Sequence, residues 1–259
     1  MKRFILAALL AGGLAGTALA ASQTDDAQLR AAIAGSHRSS ANVARDAWRH
    51  PYETLTFFGI KPTMTVVELL PEGGWYTEIL APYLRQDGKL IGAGAISRTL
   101  LESNPAVYDK VVRAAFNPPK SIYNFAPPNS VDMVLTFRNV HNFVELGDDK
   151  VKEMFKAIYT SLKPGGVLGV TDHRLPESMP QDAKATSGYI HESYVVKMAE
   201  SAGFKLAGKS EINANPRDKA DHKNGVWALP PTLTNRDEDR AKYQAIGESD
   251  RMTLKFVKP

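Results

Sequence analysis

The feature that most restricts the fold of this chain is a switch of hydrophobic period, repeated through its middle. Residues 65–70 (TVVELL) are a short, β-branched, almost continuous apolar run, the mark of a strand buried on both faces. Tyr76, Ile79, Leu80, Tyr83 and Leu84 then recur at helical spacing. An Asp87-Gly88 turn leads to a second predicted strand at 89–93, and a third follows at 130–137 (SVDMVLTF). Val151, Met154, Phe155, Ile158, Tyr159 and Leu162 outline another helix, closed by a turn at Lys163-Pro164-Gly165-Gly166. A strand at 167–171, a helix at 190–202 stopped by Gly203, and strands at 204–212 and 252–257 complete the series. Strands and helices joined by short connections imply parallel βαβ units in an open, doubly wound α/β sheet.

Two helices precede this series. One carries Ala41, Val43, Ala44, Ala47 and Trp48 behind a Ser39 or Ser40 cap, and the other runs from Pro51 to a stop at Gly59. They are expected to cover one edge of the sheet. Residues 213–250 are rich in Asn, Asp, Pro and Arg and show no period. Because a buried strand follows them, they are expected to form an ordered flap over the sheet.

The first twenty residues have a different character. Lys2 and Arg3 precede an apolar run at 4–14 and small residues ending in Ala18-Leu19-Ala20, the layout of a secretory signal with its cleavage site. The run is interrupted by glycine and falls short of the ~20 apolar residues that a spanning helix needs. Three parts are therefore expected: a signal at 1–20, a polar, alanine-rich arm at 21–38, and a single domain at 39–259. The mature protein should be periplasmic or secreted, with no membrane anchor left after cleavage. Loss of Lys2 and Arg3 lowers the formal charge from +4 to +2, which makes nucleic acid an unexpected partner. With 43% hydrophobic and 23% charged residues, the chain is neither collagen-like nor disordered. The absence of cysteine excludes disulfides, thiolate metal sites and a cysteine nucleophile.

Ligands of open α/β sheets sit beyond the carboxyl ends of the strands, which singles out residues 68–76, 92–97, 137–142 and 171–174. Arg138, Asn139, His141 and Asn142 follow an apolar strand directly, and a histidine there could act as a base. Asp172, His173 and Arg174 end the next strand and could converge with them. The same side chains could equally bind nearby backbone or carboxylates. Glu68 reads as a ligand-binding group, a helix cap or the partner of a buried arginine, and Trp75 and Tyr76 read as packing residues. Six histidines without metalloprotease spacing assign no metal site. There is no Gly-x-Ser-x-Gly elbow and no phosphate loop.

In order and spacing, VVELLPEGGWYTEIL, GKLIGAGAIS, SVDMVLTFRNVHNF and LKPGGVLGVTDHR resemble the Rossmann-like S-adenosylmethionine-dependent methyltransferases, from about residue 62 to 212. GGWYTEILAPYL and IGESDRMTLKFVKP are similar to exported predicted methyltransferases and extend the resemblance from about residue 41 to the C-terminus. This resemblance implies a mostly parallel seven-stranded sheet with an antiparallel last strand and helices on both faces. It also implies S-adenosylmethionine as cofactor and a small-molecule acceptor. Cofactor contacts would then fall to Glu68, Gly73, Gly74, Gly94 and Asn139, and catalysis to Arg138, His141, Asp172 and His173.

Three positions depart from the family pattern. Leu70 and Glu72 stand where the first two glycines of the motif belong, and Gly94 stands at or near the place of the acid that binds the ribose. The chain thus reads as a methyltransferase for an unknown small acceptor. The alternative is a non-catalytic periplasmic ligand-binding protein on a methyltransferase scaffold that has lost the cofactor site.

Overall fold

The computed structural model describes residues 26–259, so the expected signal and its cleavage site at 1–20 lie outside the described residues. The strands are β1 (Thr65–Leu69), β2 (Lys89–Ala93), β3 (Val112–Ala114), β4 (Val131–Phe137), β5 (Leu162–Leu175), β6 (Ile190–His191), β7 (Lys205–Ser210) and β8 (Arg251–Val257). Seven of them lie in the order β3-β2-β1-β4-β5-β8-β7, and β6 pairs beside β5. β8 runs antiparallel to both β5 and β7, while the other pairings are parallel. Strand order reverses between β1 and β4, so the crevice of this sheet opens at their carboxyl ends.

Period-2 alternation in the central strands builds two cores. Val66, Met133 and Leu135 join Leu55, Phe58, Ile79, Leu80 and Tyr83 on one face. Val67, Val131 and Val134 join Phe155, Ile158, Val195 and Met198 on the other. The helices Pro51–Phe58 and Thr77–Leu84 therefore cover the first face, and Asp148–Ser161 and Glu192–Ser201 the second. Both faces are apolar because both are covered, which is why the strands read as continuous apolar runs.

The region before β1 is more broken than its sequence pattern. The helix expected around Ala41 to Trp48 is two short ones, Ser40–Val43 and Asp46–Arg49, the first capped by the Ser39 hydroxyl accepting from Asn42 N at 3.3 Å. Gly59, at φ 85, ends Pro51–Phe58 in the left-handed region that glycine takes without strain. Within the arm, Ala27–Ile33 is helical and buries Leu29 and Ala32. Asp26 caps it, accepting from Leu29 N and from the Tyr83 hydroxyl.

Two further expectations change. Residues 163–166 are not a turn before the strand but lie within β5, where the pairing with β4 jumps from Val131↔Leu162 to Met133↔Val167. Gly165, at φ 78, absorbs that bulge, and Gly165 N and Gly166 O bond to Lys258 of the chain end. β3, only three residues long and largely exposed, is too short to carry a period, and the sequence pattern missed it.

The flap at 213–250 holds the 3-10 turn Gly225–Ala228 and the helix Arg240–Ile246. Ala228, Leu229 and Tyr243 form a small core of their own within it.

Close packing over β5 gives a direct test of this arrangement. A Cβ at Gly169 would lie 2.7 Å from Leu135 Cδ2 and 2.8 Å from the Phe58 ring, whereas one at Gly73 would meet nothing within 4 Å. Gly169→Ala should cost ~1–3 kcal/mol in urea unfolding. Gly73→Ala should cost far less, and equal effects would contradict the packing of Pro51–Phe58 on β5.

Candidate functional site

A cleft of about 390 Å³ opens at the switch point between β1 and β4. Its walls are the β1 loop from Glu68 to Tyr76, the β4 turn from Phe137 to Asn142, and His173. Asn42, Arg45 and Arg49 of the N-terminal helices close one side, and Trp227, Pro230, Pro231 and Ser249 of the flap region another. No residue between 77 and 136 lines it. Arg138, Asn139, His141, His173, Glu68, Gly73 and Gly74 are thus brought to one cavity, with Asp172 directly behind it and Gly94 outside.

The β1 loop explains why Gly94 is excluded. Leu70 at φ 45, Glu72 at φ 51 and Gly74 at φ 80 all adopt the left-handed region. Left-handed backbone costs a non-glycine residue ~1–2 kcal/mol, so the rest of the loop must hold it in place. Glu72 N donates to Ala95 O at 2.8 Å and Ser97 N donates to Glu72 O at 2.7 Å, fastening this loop to the one after β2. Leu70 folds over Gly94, where a Cβ would stand 2.6 Å from Leu70 Cδ2 and 3.0 Å from Phe116 O. Asn139 holds the opposite wall, its side-chain amide donating to Leu69 O at 2.9 Å.

Trp75 and Tyr76 pack rather than offer open faces. Tyr76 stacks on Phe137 with centroids 3.5 Å apart, and Trp75 Nε1 donates to Asn42 O at 2.9 Å, tying the N-terminal helices to the loop.

At the ends of β4 and β5, Asp172 is fully buried. It accepts from His141 Nδ1 at 2.7 Å and from the backbone N of His141 at 3.2 Å and of His173 at 2.8 Å. His173 Nδ1 lies 2.5 Å from Ser249 Oγ, and the two imidazoles are 5.1 Å apart. Burial first, then the charges around it (His141, Arg138, Arg251 and Arg49), push the His173 pKa well below its ordinary value, so this ring is neutral. Ligand atoms of His141, Asp172 and His173 lie within 4.8 Å of one another, a spacing that suits a metal ion. Those groups already bond to each other, to backbone and to Ser249, and the charges beside them are cationic.

Apart from Arg138, those charges come from residues that sequence patterning did not single out. Glu248 accepts from Arg45 Nε at 2.7 Å, Arg49 Nε at 3.1 Å and Arg251 Nη1 at 2.8 Å. Burial raises the Glu248 pKa, but Arg251, Arg49 and Arg45 outweigh it and hold the carboxyl down to about 2. Arg138 follows β4 in the left-handed region (φ 60), its backbone N donating to Thr171 O at 2.7 Å. Burial, then mutual repulsion, lowers the pKa of Arg49 and Arg138, yet guanidinium stays charged at any physiological pH.

No family model matches the chain, and no curated protein matches it in sequence. Solved structures do match. A SAM dependent methyltransferase from Aquifex aeolicus superimposes with a TM-score of 0.55 at 16% identity, over 83% of this chain and 93% of that one. This chain has the Rossmann-like methyltransferase fold. Haemonchus contortus phosphoethanolamine N-methyltransferase 2, in complex with S-adenosyl-L-methionine, gives 0.55 at 16% identity over 89% of this chain and 56% of its own. The cyclase SpnF gives 0.56 at 13% identity over 89% and 92%. A methyltransferase fold that also serves a protein named as a cyclase does not fix the reaction.

The residues fit only half of the cofactor that this fold implies. A methionine end could meet Glu68, Gly73, Gly74 and Asn139 on the cleft wall. The nucleoside end would need the place beyond β2, where Gly94 supplies no acid and lies under Leu70. There the two loops are zipped shut by the Glu72–Ala95 and Ser97–Glu72 hydrogen bonds. In this conformation Leu70 and the joined loops fill the place beside Gly94 that the nucleoside end would need.

Glu68 supplies a test of the cleft's polarity. Burial raises its pKa from 4.5 to about 7, against the Thr77 hydroxyl that donates to it at 2.7 Å. Between those two values the folded carboxyl keeps a proton that the unfolded one has lost, so stability falls as pH rises through that window. Glu68→Gln should remove the slope, gaining up to ~3 kcal/mol over the parent at pH 8 and little at pH 4. Urea unfolding at both pH values measures it, and an unchanged slope would contradict a buried, neutral Glu68.

Proposed function

We propose that the protein binds a small molecule between β1, β4 and the flap and acts on it by proton transfer at His141, without S-adenosylmethionine. The observation that carries this reading is the buried His141–Asp172 pair on the wall of a cleft whose nucleoside half is closed. A carboxylate can only accept, so the 2.7 Å contact requires His141 Nδ1 to carry hydrogen and leaves Nε2 as the basic nitrogen. The backbone N–H bonds of residues 141 and 173 fix the Asp172 oxygens, so the imidazole is oriented before any ligand arrives. His173, neutral and bonded to Ser249, lies beside it without adding a charge. The signal-like residues 1–20 support the same reading, because export removes the protein from the cytosol where S-adenosylmethionine is made.

One observation favours a second reading, a methyltransferase. Leu70, Glu72 and Gly74 keep the left-handed backbone of a glycine motif, and Glu68 keeps its acid. On that reading Leu70 swings off Gly94 to admit the nucleoside. Calorimetric titration of the purified protein with S-adenosylmethionine and S-adenosylhomocysteine separates the two. The first reading expects no heat up to millimolar ligand. Binding tighter than about 1 mM, on the order of 4 kcal/mol, would replace it with the second.

A further inference from the structure

Four guanidiniums outnumber the two carboxylates that face them at the cleft, the clamped Glu248 and the exposed Glu72. Arg45, Arg49 and Arg251 share Glu248, and Arg138 adds a fourth guanidinium. Among the described residues no acid lies within ion-pair distance of Arg138, although it feels Arg251, Glu248, Arg45 and Asp172 through space. Asp172 is spent on His141, and Glu68 is protonated below about 7. Arg45 Nη2 and Arg49 Nη2 are both buried without a hydrogen-bond partner. Arg49 is also stacked over Trp75 with its guanidinium carbon 4.7 Å from the ring centroid, which holds its plane fixed.

Three of these arginines, Arg45, Arg49 and Arg138, line the same cavity. Gathering like charges in a half-buried space is costly, and a protein gains nothing from it unless a counter-ion arrives. Guanidinium groups in that setting recognise planar or tetrahedral oxyanions, to which each can offer paired N–H donors. The rest of the cavity differs in kind. Leu70 of the β1 loop and Trp227, Pro230 and Pro231 of the flap add apolar surface, and Trp227 is 6.3 Å from the His141 ring.

We propose that Arg45, Arg49 and Arg138 bind the acid group of a small anionic molecule whose apolar body lies against Leu70, Trp227 and Pro230. The ligand class is an organic carboxylate or phosphate monoester with one acidic head, of a size that a cleft of about 390 Å³ can hold. The inference rests on this cleft being the ligand site. It does not depend on proton transfer at His141 or on the outcome with S-adenosylmethionine. A divalent metal at His141, Asp172 and His173 is disfavoured by the same charges.

Arg138 is the position to change. It has no carboxylate to lose, and its backbone bond to Thr171 does not depend on its side chain. Thermal unfolding and calorimetry would use benzoate and phenyl phosphate as anionic probes, benzyl alcohol as the neutral control, and inorganic phosphate as the head group alone. The two organic anions should raise Tm by several degrees and benzyl alcohol should not. A response to phenyl phosphate alone, with inorganic phosphate reproducing part of it, would assign the head as phosphate. A response to benzoate alone would assign it as carboxylate. Arg138→Gln should weaken anion binding at least 10-fold while raising Tm in anion-free buffer, because it relieves repulsion. Arg113→Gln, an exposed position on β3, should keep the full response. No Tm change with either anion, or an equal change in Arg138→Gln, would overturn the proposal.

Discussion

The Glu248 carboxylate is the interaction on which the architecture of the cleft depends. It joins three parts of the chain that are far apart in sequence: the helix region with Arg45 and Arg49, the end of the flap, and β8 through Arg251. Burying a carboxylate costs several kcal/mol, and only several close cations repay it. Here three do, and the carboxyl is held down to about 2. The same contact fixes where the N-terminal helices sit on the sheet, hence where Arg45 and Arg49 enter the cleft. Arg251 Nη2 extends the link to Trp48 O at 2.5 Å. Fold and site are therefore coupled through one buried anion.

The resemblance to methyltransferases implies a ligand that reaches from the end of β1 to the end of β2. In this chain Leu70, Glu72 and Gly74 of the β1 loop all take left-handed backbone. Leu70 adds a side chain where glycine would leave room, and that side chain covers Gly94. The space that remains is the half nearer β4, the N-terminal helices and the flap. It holds the His141–Asp172 pair beside a cluster of guanidiniums. Three arginines in one cavity repel each other, and an oxyanion neutralises them.

Much of the fold was legible because burial on both faces leaves a local mark. The runs VVEL and VDMVLTF placed β1 and β4 within a residue, and the helical stripes placed the covering helices within about three residues. β3 was invisible because three half-exposed residues leave no period. The glycines at 165 and 166 signalled a turn and instead sit in a bulge, since the chain end at Lys258 pairs with them. At the site, polar runs after apolar strands pointed to Arg138, His141, Asp172 and His173, because strands end at a cleft in this class of sheet. Arg45 and Arg49 were not legible, because their partner Glu248 lies 203 and 199 residues away. Leu70 and Glu72 could be read as departures from a glycine motif, but only the structure shows that both take left-handed backbone and that Leu70 covers Gly94.

Urea unfolding of Glu248→Gln against the parent at pH 7 tests the central claim most directly. Gln keeps the shape and removes the charge, leaving Arg45, Arg49 and Arg251 with no counter-ion. If Glu248 is the buried anion that holds fold and cleft together, the variant loses ~3–5 kcal/mol. That difference should shrink as pH falls from the ordinary carboxyl range near 4.5 toward about 2, where the parent carboxyl is protonated as well. A variant within about 0.5 kcal/mol of the parent at pH 7, the range of an ordinary surface change, would contradict it.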